Sequence, residues 1–248
     1  MSDSRSKYTR RSTQQLVLAT LMCSCATAAL ADGWQGKGEA GIVFARGNTV
    51  TDTINLKLGL DKTVNRWKHE LGLAALRAAT SGETTADRYL GTWQSSYGFS
   101  ERSFWFGGLR YENDQFSGFA YSASATTGLG HKFIDSERVK LAGQVGVGYR
   151  RIKTEPTPLE PGEIHGDVIG TAGLNFEAQL SATTKLVDKF TAESGAENTL
   201  FTNFLGVEVK MSTALALAVG LDVRHNTSPP APLKKTDTLT TVNLVYAF

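Results

Sequence analysis

From about residue 34 onward the chain repeats one pattern. Stretches of about ten residues alternate apolar and polar positions, with turn residues between them, which is the signature of half-buried strands. A dozen can be read: "GKGEAGIVFA", "DTINLKLGLD", "WKHELGLAALRA", "RYLGTWQSSYGF", "SFWFGGLRYEND", "YSASATTGLGHKF", "VKLAGQVGVGYRRI", "GDVIGTAGLNFEAQL", "KLVDKFTAES", "TLFTNFLGVEVKM", "ALALAVGLDVRH" and "DTLTTVNLVYAF". None carries a helical period. "AALRAAT" comes nearest, and it continues an alternating strand.

Strand side chains point alternately to opposite faces. One face is oily: Ile54, Leu56, Leu58 and Leu60 in the second stretch, Val139, Leu141, Val145, Val147 and Tyr149 in the seventh, Leu215, Leu217, Val219, Leu221 and Val223 in the eleventh. The other face is charged or small: Asn55, Lys57, Gly59 and Asp61, then Lys140, Gln144, Gly146 and Arg150, then Ala216, Gly220, Asp222 and Arg224. A soluble sandwich produces this pattern by burying the oily face against a second sheet. A transmembrane barrel produces it by turning the oily face to lipid and the polar face to its lumen.

Four features favour the barrel. The connections alternate in length, with "VNR", "SERS", "DSER", "SATT" and "MST" tight, and "TSGETTAD", "TEPTPLEPGEIH" and "NTSPPAPLKKT" long. Outer-membrane barrels have short turns at one end and long loops at the other. The strand count is even, which brings both ends of the sheet to the periplasmic side. Aromatic residues stand near strand ends, as interfacial girdles require: Trp34, Trp67, Tyr97, Phe99, Trp105, Phe133, Tyr149, Tyr246 and Phe248. The last stretch also ends on an aromatic, with Val242, Leu244, Tyr246 and Phe248 on one stripe. Such a stripe is similar to the signal read by the outer-membrane barrel assembly machinery, a partner expected together with outer-membrane lipid. The expected fold is therefore all-β, a closed antiparallel transmembrane barrel of about 12 strands.

Composition agrees. The 26 basic and 24 acidic residues give a formal net charge of only +2, and a nucleic-acid binder shows a strong basic excess. Beyond residue 32 no apolar run reaches the ~18 residues of a spanning helix. The N-terminus reads as a targeting segment: Arg5, Lys7, Arg10 and Arg11, then "LVLATLMCSCATAAL", then small residues at Ala29 and Ala31. Cleavage is expected after Ala31, leaving residues 32–248 as the barrel domain. An anchor helix is the alternative, with an apolar run too short to span. A lipoprotein signal at Cys23 or Cys25 is another, but the residues before each cysteine fit a lipobox poorly. Both cysteines fall inside this segment, so the mature chain is expected to hold no disulfide or thiolate metal site.

The stretches "GKGEAGIVFARGNTVTDTINLKLGLD", "LRYENDQFSGFAYSASATTGLGHKFI" and "GVGYRR" resemble a bacterial family, the salt-induced outer membrane proteins, a domain of unknown function (DUF481). The resemblance runs from about Trp34 to Phe248. It implies an outer-membrane barrel of about a dozen strands and a link to salt stress. It brings no established catalytic residues, and no role attaches to His131 after the Gly-Leu-Gly.

The candidate polar site lies at the end of the fifth strand, where Arg110, Glu112 and Asp114 share the lumen face beside Asn113. It reads either as a cation-binding or selectivity patch at the outer mouth, or as charges paired with neighbouring strands, since charges away from water are normally paired. The other lumen-face charges, among them Glu39, Glu70, Glu177, Lys185, Lys189, Glu193, Glu208 and Lys210, mix both signs. A strongly selective pore more often carries one sign. Mixed charges fit a plugged or narrow lumen, or a weakly selective passage. Catalysis has little to stand on. Of the 4 His residues, only His225 has a hydroxyl close by in sequence in a long loop, Ser228, with no Asp or Asn constellation. No catalytic, cofactor or metal site is expected. Limited ion or solute passage, or envelope support under osmotic stress, leads. A closed-lumen structural or adhesion barrel acting through its outer loops is the alternative, with an outer-membrane hydrolase third.

Overall fold

The computed structural model describes residues 33–45, 51–80, 83–114, 119–154, 162–229 and 233–248. It contains twelve strands: β1 (Gln35–Ala45), β2 (Thr51–Val64), β3 (Trp67–Thr80), β4 (Glu83–Gly98), β5 (Ser103–Asp114), β6 (Phe119–Asp135), β7 (Val139–Thr154), β8 (Ile164–Gln179), β9 (Thr184–Ser194), β10 (Thr199–Lys210), β11 (Leu215–Asn226) and β12 (Thr236–Ala247). Each strand pairs antiparallel with its neighbours in sequence, and β1 pairs with β12, so the sheet closes on itself. The proposed signal segment, with Ala29 and Ala31, and both cysteines lie outside the described residues.

The short turns share a device. In four of them a serine hydroxyl accepts the backbone N–H three residues on: Ser100 from Ser103 (2.9 Å), Ser136 from Val139 (3.0 Å), Ser181 from Thr184 (3.1 Å) and Ser212 from Leu215 (3.1 Å). Serine turns of this kind set the chain reversal locally. The fifth turn uses Asn65 at φ 55°, the left-handed region that asparagine tolerates. One expected loop shrinks. "TSGETTAD" is mostly strand, because β3 runs to Thr80 and β4 begins at Glu83, leaving only residues 81–82. Its alternating polar residues extend the hairpin just as apolar ones do, and the register shifts between Ala78 and Ala79 to accommodate it.

The seam runs from Lys37↔Ala247 to Ala40↔Leu244. Below it, Gly36 and Phe248 exchange both backbone hydrogen bonds, at 2.8 and 2.9 Å. The Phe248 ring fills the space where a side chain at position 36 would stand and stacks on Tyr246, 6.0 Å between centroids.

The polarity is inverted relative to a soluble protein. The exposed outer surface carries the large apolar side chains, such as Leu109, Leu129, Val145, Val168, Leu217 and Leu244, while Asn55, Glu112, Ser124, Arg150, Thr241 and Asn243 are buried inside. Rings gather at the turn end of the outer face, where Trp67 lies 5.1 Å from Tyr97 and 6.4 Å from Trp105. That is a girdle position. The lumen is less polar than the alternation alone leads one to expect. Phe106, Ile169 and Val245 are fully enclosed in it. Phe106 lies over Gly128 and Gly146, which face each other across β6 and β7, and Phe204 lies over Gly206 and Gly220. An aromatic ring over strand glycines restores the contact that glycine lacks.

A side chain at position 146 would overlap the Thr127 carbonyl and stand 3.1 Å from the Phe106 ring. Gly146→Val is therefore expected to destabilise the barrel by about 1–3 kcal/mol, the usual range for overpacking. The measurement is the urea midpoint for loss of the compact, heat-modifiable form on gels; an unchanged midpoint would refute the packing described.

Candidate functional site

The residues singled out at the end of β5 come together inside the barrel. Arg110, Glu112 and Asp114 alternate inward, and Glu112 is 3 % exposed. A carboxylate this enclosed needs compensation. Three guanidiniums supply it. The Arg110 Nη2 is 2.5 Å from Glu112 Oε2, the Arg88 Nε of β4 is 2.6 Å from Oε1, and the Arg224 Nη1 of β11 is 3.0 Å from Oε1. Arg88 and Arg224 converge on the same carboxylate oxygen and offset its charge from two sides. Arg224 Nη1 also donates to Asp114 Oδ2 at 2.9 Å, and Arg110 approaches Glu193 of β9 at 3.9 Å. Asn113 points away from this group, and its amide donates to the Ala120 carbonyl.

The position of Arg224 decides the character of the site. In the ring of twelve strands β5 and β11 are six apart in either direction, so they are opposite walls. The Glu112–Arg224 contact therefore crosses the whole lumen. A second group braces the same level. Arg150 of β7, 2 % exposed, reaches Asp167 of β8 at 3.3 Å and donates to Asn198 in the β9–β10 turn. Asn198 in turn donates to Asn226 of β11 at 3.2 Å. Above these residues the lumen opens into a small cavity that is continuous with solvent. Glu112, Arg150 and Arg224 lie at its inner side, and Lys234, Lys235 and Asp237 line it near β12.

Below the bridge, further contacts cross between strands that are not neighbours. Lys57 of β2 sits 4.5 Å from the Phe204 ring centre of β10. The Asn55 amide of β2 donates to Asn243 of β12 at 3.2 Å, and the Asn243 amide donates to Glu39 on the adjacent β1 at 3.1 Å. Lys37 of β1 pairs with Glu208 of β10.

Strand alternation correctly puts Glu39, Lys57, Arg150, Glu193, Glu208, Asp222 and Arg224 on the inner face. It does not say which of them meet across the lumen. Arg88 also goes unremarked in the sequence, because it opens the expected fourth strand, where a mouth residue and a lumen residue look alike. Val242, Leu244 and Tyr246 face outward and are about half exposed, with Phe248 stacked beside them. His225 pairs with the Thr236 hydroxyl at 2.8 Å, while the Ser228 backbone N–H donates to Asn226. The two do not form a nucleophile–base pair. Among the described residues no group of three or more His, Cys, Asp or Glu side chains is placed to hold a metal.

A closed antiparallel sheet of twelve strands with an apolar exterior and a polar, cross-linked lumen defines a transmembrane β-barrel. The chain belongs to the family described as protein of unknown function, DUF481, which matches residues 38–248. Among solved structures it is similar to the NanC porin, at 7% identity and a TM-score of 0.53, covering 86% of this chain and 98% of that one. It is also similar to the translocator domain of the autotransporter NalP from Neisseria meningitidis, at 14% identity and a TM-score of 0.49, covering 95% and 98%. At these identities the likeness is one of fold. The comparison with curated proteins found no match.

Glu112→Ala leaves three guanidiniums around an empty centre. Breaking a buried ion pair by removing one partner typically costs about 3–5 kcal/mol. A loss of that order is expected for Glu112→Ala in urea unfolding, with a smaller loss for Glu112→Gln, which keeps the shape. Equal stability of Glu112→Ala and the unmodified protein would show that the bridge contributes nothing.

Proposed function

We propose that this is an outer-membrane barrel whose lumen is shut to solutes by its own side chains and which acts through its outer end. The observation that carries the reading is the Glu112–Arg224 contact between opposite walls, braced by Arg88, Arg110 and the Arg150 group. Long side chains from both sides meet where a porin would need a gap. The mixture of signs fits a structural network better than a selectivity ring. The cavity above the bridge and the loops around it form the working face. Support of the envelope under salt stress is the physiological setting that the family resemblance offers.

An outer-membrane location is supported by the apolar exterior and by the likeness in fold to the NanC porin. The chain is exported by residues 1–31 and cut after Ala31. The assembly machinery recognises the outward stripe of Val242, Leu244, Tyr246 and Phe248. The barrel has no catalytic role and takes no cofactor.

In planar bilayers the purified protein is expected to give no stable conductance steps. Steps of porin size from the unmodified protein would overturn the closed-lumen reading in favour of passage. Replacing both Tyr246 and Phe248 by Ala is expected to lower the amount of heat-modifiable barrel in outer-membrane fractions severalfold; undiminished levels would refute the role of the stripe.

A further inference from the structure

One carboxylate faces the wrong way for a barrel in lipid. Asp188 lies midway along β9 (Thr184–Ser194), between Leu186 and Phe190 on the same face. Its register partners are Phe176 of β8 and Leu205 of β10, and Leu205 belongs to the exposed outer surface. Other outward-facing charges sit near strand ends: Lys62 close to the β2–β3 turn, and Arg77, Asp87, Arg151 and Lys153 toward the outer rim. Those positions reach water or headgroups. Asp188 does not.

Its partner is Asn203 of β10, whose amide donates to Asp188 Oδ1 at 2.6 Å. Among the described residues this is the one hydrogen bond that either side chain makes. The second carboxylate oxygen, the second amide N–H and the amide oxygen all remain open. Lipid tails offer no donor or acceptor, so such groups are costly at this depth. Another protein surface can satisfy them. The pair presents a free acceptor and a free donor side by side, so it complements itself under a two-fold rotation about the membrane normal. An isologous interface has that symmetry. Around the pair the surface is apolar, with Leu174, Phe190, Phe201 and Leu205.

We propose that the β8–β10 face binds a second copy of this chain, with Asp188 of each copy accepting the spare amide N–H of Asn203 of the other. The proposal rests on the membrane reading above but not on the state of the lumen. It is tested by disulfide cross-linking in isolated outer membranes. Leu186→Cys and Leu205→Cys, both beside the pair, are expected to give a band at twice the monomer mass. Leu73→Cys, on the outer face of β3 across the barrel, is expected to give none. Adding Asp188→Leu and Asn203→Leu is expected to abolish the band while the barrel stays in the membrane and remains heat-modifiable. Light scattering in mild detergent gives an independent measure, with a dimer expected for the unmodified protein and a monomer for the double variant. A monomeric unmodified protein, a band that survives the double substitution, or a band with a protein of different mass would each overturn the dimer. Absence of the barrel from membranes would overturn the membrane reading with it.

Discussion

The backbone must close. In hydrocarbon each N–H and C=O needs a partner within the protein, so a sheet with two free edges is excluded. The pairing of β1 with β12 meets this demand, and the two hydrogen bonds between Gly36 and Phe248 lock its lower end. Gly36 leaves the space that the Phe248 ring fills. Much else follows from closure. Twelve antiparallel strands return the chain to the side where it began. Alternation then sorts every side chain into one of two environments. The tight serine turns at one end and the cavity at the other are consequences of a sheet that has no edge to hide.

Closure also creates an interior that must be filled. A twelve-stranded barrel is wider than the eight-stranded kind, in which ordinary side chains meet in the middle. Contact across it takes long side chains from both walls, and Arg224 and Glu112 are such a pair. Charge is a demanding way to fill space, because one buried carboxylate requires several donors to offset its lost hydration. Glu112 has three guanidiniums, and two of them touch further acids. The network is therefore nearly neutral and mutually braced. Lower down the solution changes to rings over glycines, with Phe106 and Phe204 each covering a facing glycine pair. These packing modes together occupy the levels where a porin would leave water.

The sequence carried the architecture because a period of two over twelve stretches is a strong and redundant signal. Strand number, faces, closure and the outward stripe of Val242, Leu244 and Tyr246 were all legible in it. The membership of Arg110, Glu112 and Asp114 in one polar group was legible too, since they alternate on one strand. Their partners were not. Arg88, Arg224 and Glu193 lie on other strands, and only the closed ring says which of them are opposite. The inward phenylalanines escaped for a different reason. On an alternating strand Phe106 follows Trp105 and Phe204 precedes Leu205, and which of the two neighbours faces inward is not evident until the register of the adjacent strands is known. The length of β3 and β4 was missed because polar threonines in an extended hairpin look like loop residues.

Glu112 and Asp188 set out the same physical problem with two solutions. Both are carboxylates removed from bulk water by the fold, one enclosed in the lumen and one on the belt that meets lipid. For Glu112 the barrel itself supplies the guanidiniums, from β4, β5 and β11, so the charge holds the structure together from within. For Asp188 the described residues supply one amide and nothing more. No strand can reach around to the outer face, because closure points all remaining side chains inward or along the surface. A deficit that cannot be met from within can be met only by what lies against the wall. The constraint that makes this fold self-sufficient in its backbone is therefore the reason that the mid-belt carboxylate of Asp188 looks outward for a partner.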